Sequence, residues 1–190
     1  MSVQYPMSQL IKERRSIRKF KSDKVSNEIL EELLEVTSWA PNHKMTEPWR
    51  FIIYKDEGSK VLANIMAKIV ANSPKKKSPE EVRARFESIP AHVIIVMNED
   101  SNNFVMEEDY AATCALIQNF QLAAWERGLG VLWKADPFIA LSQFRDGIGV
   151  KPGEKVVALL HVGYPEMTPK SIARTPISEK ITIIDSNNEK

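Results

Sequence analysis

Tyr110-Ala111-Ala112-Thr113-Cys114-Ala115-Leu116-Ile117-Gln118-Asn119-Phe120-Gln121-Leu122-Ala123-Ala124-Trp125 is the longest stretch of this chain without a charge. It lies inside a segment, 105–127, whose small and apolar residues fall almost all the way round at helical spacing. A helix apolar on every side has to be covered on every side, which puts it at the centre of a domain or at a subunit interface. Gly128 follows as a C′ residue that closes the helix. The uncharged stretch is shorter than the roughly 20 residues that cross a bilayer, and Gln118, Asn119 and Gln121 interrupt it.

Strands are predicted on both sides of this helix. Before it, 91–97 (AHVIIVM) is continuously apolar, as in a strand covered on both faces. After it come 131–134 and 156–162, with a helix near 138–144 between them. Further upstream, 49–54 (WRFIIY) is an aromatic and β-branched run. The N-terminal part predicts one short helix over 7–15 and a second that starts at Ser26 or Asn27. In the second, Ile29, Leu30, Leu33, Leu34 and Val36 recur at helical spacing. That helix should stop before Pro41, since the residue before a proline is driven out of the helical region. Val61, Leu62, Ile65, Met66, Ile69 and Val70 mark another helix. The polar segment 72–88, with Lys75, Lys76 and Lys77, reads as a surface loop holding a turn or two of helix around 80–86. From Tyr164 onward the chain has three prolines and little periodicity, a composition suited to wrapping over another surface. The sum is an α+β fold: a small mixed sheet of four or five strands between helices, in a single domain over 1–190.

Composition narrows the function. Lys and Arg number 26 against 25 Asp and Glu, so no global field steers the chain to nucleic acid or an anionic membrane. Cys114 is the only cysteine, which excludes an intrachain disulfide and any multi-cysteine metal or iron–sulfur site. The first residues lack the apolar core of a signal peptide, and the chain reads as soluble and cytoplasmic. A phosphate-binding P-loop, a G-x-G-x-x-G turn and a G-x-S-x-G elbow are all missing. His43, His92 and His161 show no metal-ligand spacing.

Three islands remain. Arg14-Arg15-Ser16-Ile17-Arg18-Lys19 concentrates planar guanidinium forks around a hydroxyl, a set that suits a terminal phosphate group. The same pattern also fits a solvated basic helix end or a nucleic-acid arm. Trp39-Ala40-Pro41-Asn42-His43-Lys44-Met45-Thr46-Glu47-Pro48-Trp49 is a proline-bracketed polar loop between a helix and a strand. Trp49 reads as core, whereas His43 and Lys44 have no evident packing duty. Gly128-Leu129-Gly130-Val131-Leu132-Trp133-Lys134 is a helix-to-strand turn where glycine allows close backbone approach.

In this order, R-R-S-x-R, A-P-x-H-K-x-x-x-P-W and G-x-G-V-x-W resemble the nitroreductase family of FMN-dependent oxidoreductases, especially its short single-domain members. The resemblance runs from Leu10 to Ile177 and implies the nitroreductase-like α+β fold, with the long helix at the centre of a homodimer and a swapped C-terminal tail. It implies FMN at the subunit interface, with NADH or NADPH as electron donor. The implied acceptor is a small molecule, with neither nucleic acid nor membrane as a partner. Arg14, Arg15, Ser16 and Arg18 are the residues implied for the FMN phosphate, ribityl chain and pyrimidine edge, together with Arg174. His43 is implied to reach the FMN of the other subunit, and Trp133, Lys134 and Ala135 to line the flavin from the strand side. Two positions depart from the pattern. Glu47 stands where the family commonly has glutamine, and Trp39 where close relatives can carry arginine; a flavin contact made by that arginine is here replaced by stacking or by nothing. The same fold also runs dehalogenation and enone reduction, and a flavin-binding sensor or storage module is the alternative outside catalysis.

Overall fold

A computed structural model describes residues 6–72 and 78–184. The elements are α1 (Pro6–Glu13), α2 (Asn27–Thr37), β1 (Trp49–Lys55), α3 (Glu57–Ala71), α4 (Pro79–Glu87), β2 (Ala91–Asn98), α5 (Asn103–Glu126), β3 (Gly130–Lys134), α6 (Ser142–Gly147) and β4 (Glu154–Gly163). The four strands form one sheet in the order β1-β2-β4-β3, and every ladder in it is antiparallel. The expected mixed sheet reduces to a single parallel bridge, Ser16 to Val131.

The sheet separates two cores. Val93, Ile95 and Met97 of β2 point to the side where Leu30 and Leu33 of α2 and Leu116, Ile117 and Phe120 of α5 pack. Ile94 and Val96 point the other way, onto Leu62 and Met66 of α3, Val82 and Phe86 of α4 and Phe144 of α6. Covering on both faces explains why the central strands are apolar throughout although their neighbours run antiparallel.

Two expectations change. The polar segment after α3 contains a nine-residue helix, α4, begun by a capping box in which Ser78 and Glu81 satisfy each other's backbone amides; residues 73–77 lie outside the described residues. Helix α5 keeps its expected apolar girth, and within one chain Phe104 is 68% exposed and Tyr110 and Ala111 also face outward. The predicted helix near 138–144 is a 3-10 turn, Pro137–Ala140, followed by α6. Gly128 has φ +74° and closes α5 as expected. Among the described residues no helix is long and apolar enough to cross a membrane.

Candidate functional site

The site begins with Ile17. Its side chain is fully buried, and its backbone N–H donates to the Val131 carbonyl at 3.1 Å. Gly130 makes this approach possible, since a Cβ there would lie 2.7 Å from Ile17 Cβ and closer still to Cγ1. Further along, Lys21 N–H donates to Tyr164 O (2.9 Å) and Glu166 N–H to Lys19 O (3.1 Å). The basic segment is thus laid along the edge of β3 and fastened to the start of the C-terminal segment. With Ile17 turned inward, its neighbours Ser16 and Arg18 face outward.

Above this rail lies a cleft of about 900 Å³ lined by Arg14, Arg15, Ser16, Arg18 and, from the C-terminal segment, Arg174. Lys12, Lys19 and Lys170 line it too. No carboxylate lines it, and among the described residues none of these cations forms an ion pair. Arg14 is half-buried, and its Nη1 faces Gln121 Oε1 at 3.5 Å, the outer limit of a hydrogen bond. Gln121 Nε2 in turn donates to Gln118 Oε1 at 3.1 Å. Burial, and then the like charges of Arg15 and Arg174, pull the Arg14 pKa below its ordinary value. Cations crowded without counter-ions are the arrangement that a multivalent anion relieves. Arg15 is partly committed elsewhere, because its Nη1 donates to Lys12 O (2.6 Å) and Arg14 O (2.8 Å) at the end of α1.

The other predicted residues do not join this cleft. Trp39 stands 87% exposed just past the end of α2. His43 is exposed in the short 3-10 turn His43–Met45. Trp133 is half-buried against the α5-side core, and its buried Nε1 has no hydrogen-bond partner. Lys134 pairs with Asp136 at 2.6 Å, and Ala135 is exposed. Two residues not anticipated from the sequence belong here: Gln118 lines the cleft, and the buried Gln121 faces Arg14 from behind it. Their spacing on one face of an otherwise apolar helix was the available signal.

The architecture is that of an α+β protein with a basic cleft along one edge of an antiparallel sheet. Its sequence matches the nitroreductase family over residues 11–164. The chain belongs to the nitroreductase family, and with it to an oxidoreductase enzyme class. It is 38% identical over 179 residues to the Bacillus subtilis (strain 168) protein YfhC, provisionally named an NAD(P)H nitroreductase; the match covers 91% of each chain. A nitroreductase-like family protein from Bacillus cereus superposes with a TM-score of 0.91 at 43% identity, covering 98% of this chain and 100% of that one. A protein from Desulfovibrio desulfuricans, provisionally named a nitroreductase and solved in complex with FMN, shares the fold with a TM-score of 0.75 at 23% identity; 96% of this chain and 99% of that one are covered.

Proposed function

We propose that this chain binds FMN in the basic cleft and passes electrons from NADH or NADPH, in a ping-pong cycle, to nitroaromatic, quinone or similar electron-poor acceptors. The observation that carries the proposal is the convergence of Arg14, Ser16, Arg18 and Arg174 on one cleft without a carboxylate. Arg14 and Arg174 would supply guanidinium forks to the phosphate, and the Ser16 hydroxyl a further donor. Arg18 lies one residue beyond the buried Ile17, where a cation favours the electron-rich form of the flavin ring. Bound FMN supplies the hydride and electron chemistry; the residues of the chain bind it, orient it and keep water off it. The FMN complex of the D. desulfuricans relative supports the cofactor, and the name of the B. subtilis relative supports the donor.

The reading includes a cytoplasmic homodimer of single-domain chains, with each FMN site built from both. Its support is the apolar surface one chain leaves open: Trp39, Phe104, Ile172, Ile177 and Ile184 are all exposed. In the assembled site His43 and Trp39 come from the second chain, the segment after Tyr164 crosses to that chain, and Trp133, Lys134 and Ala135 lie along the strand side of the flavin.

The test is the visible absorption spectrum of the purified protein before and after anaerobic addition of NADH or NADPH. Flavin bands that bleach are the expected result. A colourless protein that also fails to take up added FMN would refute the proposal and return Arg14–Lys19 to a basic surface patch. Steady NAD(P)H oxidation with an added nitroaromatic or quinone separates the enzyme from a sensor or storage module. Halogenated phenols and enones in the same assay separate the other flavin reactions of this fold.

A further inference from the structure

The turn over residues 42–47 is built against the preferences of its own backbone. Lys44, Met45 and Glu47 all take positive φ, at 53°, 53° and 42°. Such conformations cost about 1–3 kcal/mol each and persist only where the surroundings enforce them. Several of the restraints are internal. The Asn42 side chain donates to Ala40 O (3.2 Å) and accepts from Glu47 N–H (3.0 Å), and Thr46 N–H donates to His43 O (3.3 Å). Bonds of this kind shape the turn but do not fix where it sits.

Among the described residues one side-chain hydrogen bond ties the turn to another element. Thr46 Oγ1 donates to Asp109 Oδ1 of α5 at 3.0 Å. Asp109 is only 8% exposed, and among the described residues it has neither an ion-pair partner nor a second side-chain donor. Its backbone carbonyl is separately used by the Thr113 hydroxyl, at 2.8 Å. A buried carboxylate with one hydroxyl as its side-chain partner is an expensive way to fill a helix position, where an apolar residue would be cheaper. What the carboxylate does accomplish is to hold Thr46.

We infer that Asp109 is a positioning residue: through Thr46 it locks the 42–47 turn onto α5 in the conformation that presents His43 and Lys44 to flavin bound across the subunit boundary. The inference rests on the shared-site reading above, and its test is arranged to separate the two. FMN dissociation constants are measured on the full chain by quenching of flavin fluorescence. The set is wild type, Thr46→Val, Thr46→Ser, His43→Ala, His43→Ala/Lys44→Ala, and that double variant with Thr46→Val added.

Removing a hydrogen bond to a charged group should weaken FMN binding about tenfold in Thr46→Val, while Thr46→Ser, which keeps the hydroxyl, stays within about twofold. Because Thr46 acts through the side chains the turn presents, adding Thr46→Val to His43→Ala/Lys44→Ala should change nothing further. The inference is overturned if Thr46→Val binds FMN like wild type while His43→Ala is weakened. An equal loss in Thr46→Ser overturns it as well, as does a Thr46→Val effect that multiplies in the triple variant. If His43→Ala and His43→Ala/Lys44→Ala both bind FMN like wild type, the shared-site reading itself fails and this inference falls with it.

Discussion

Lowering the pH from 7 to 5 should remove about 2 kcal/mol of folding stability through His92, with a further loss from His161, and both histidines lie on the face of the sheet covered by α4. His92 of β2 and His161 of β4 are register partners, fully buried, with their Nδ1 atoms 2.8 Å apart. His92 Nε2 lies 3.0 Å from the Phe86 carbonyl. A carbonyl only accepts, so His92 carries its proton on Nε2 and its Nδ1 must accept from His161 Nδ1–H. His161 Nε2 is left as a buried lone pair without a partner. The network closes only while both rings are neutral. A further proton either sits on His161 Nε2 with nothing to accept it or breaks the bond between the rings.

The charges that reach the pair are Arg85 of α4 and Lys134 of β3, and both oppose protonation of His161. Burial pushes His92 down to about 4. Burial, then His92, Lys134 and Arg85, hold His161 well below its ordinary value. The sign follows directly. The unfolded chain takes up protons near pH 6.5 and the folded chain does not, so stability is full above pH 6.5 and is lost toward pH 4. Between pH 7 and 5 the loss from His92 is about 2 kcal/mol, and His161 adds to it in the same direction, a large part of the roughly 5–15 kcal/mol that holds a domain together. The assay is urea denaturation at pH 7 and pH 5, and His161→Leu should reduce the difference. Equal stability at the two pH values, or a His161→Leu variant with the full pH dependence, would refute the reasoning.

Three other outcomes are expected. Gly130→Ala should cost about 1–3 kcal/mol in thermal denaturation, because its Cβ would press on the buried Ile17; flavin retention should fall as the basic segment lifts from β3. Arg14→Ala with Ser16→Ala should give folded protein that loses FMN on dilution, and full retention after gel filtration would contradict the phosphate assignment. Glu154 accepts from Arg50 at 2.6 and 2.5 Å and from Lys151 N–H at 2.7 Å, and Arg50 above all holds its carboxyl at about 2. It therefore contributes stability that is lost as pH falls from about 4.5 toward 2, and Glu154→Gln should abolish that lower limb of the acid titration followed by circular dichroism while leaving the histidine limb intact.

The parts of the fold legible in the sequence were those with a period and a boundary. The apolar run of β2 and the Gly128 stop after α5 are local signals, and the structure repeats them within a residue or two. Helix α4 was undervalued although Ser78 and Glu81 form an S-x-x-E capping box, because its apolar positions, Val82 and Phe86, are few and charged residues surround them. The apolar girth of α5 was read correctly as a demand for cover, but one chain supplies that cover on only part of the helix. In the site, the row of arginines marks a basic segment, and the structure places it on one cleft. No sequence pattern, however, states that Arg15 would turn back onto the α1 carbonyls. Nor does any place Gln118 and Gln121 beside Arg14 and Arg174. Those neighbours are brought together by backbone bonds at the β3 edge, and the packing of Ile17 under Gly130 decides them.

The two halves of the proposed site are made by opposite means. Along β3 the basic segment is held by backbone hydrogen bonds to Val131 and Tyr164 and by a fully buried isoleucine. None of those anchors is a charged side chain, so apart from Arg15, which turns back onto the α1 carbonyls, the cations keep donors for a ligand. The cost is recorded in the Arg14 pKa, lowered first by burial and then by the like charges of Arg15 and Arg174, and a bound phosphate would offset it. The 42–47 turn carries its tension in the backbone, at Lys44, Met45 and Glu47, and it is fastened to α5 by one hydroxyl. A rigid, over-determined edge suits the invariant phosphate end of a cofactor, whose geometry must not vary. A strained turn on a single tether suits the ring end, where a second substrate has to enter and leave. In that division, changes at the edge should act on flavin affinity through the phosphate end, and changes in the turn on flavin affinity through the ring end and on what the held flavin meets.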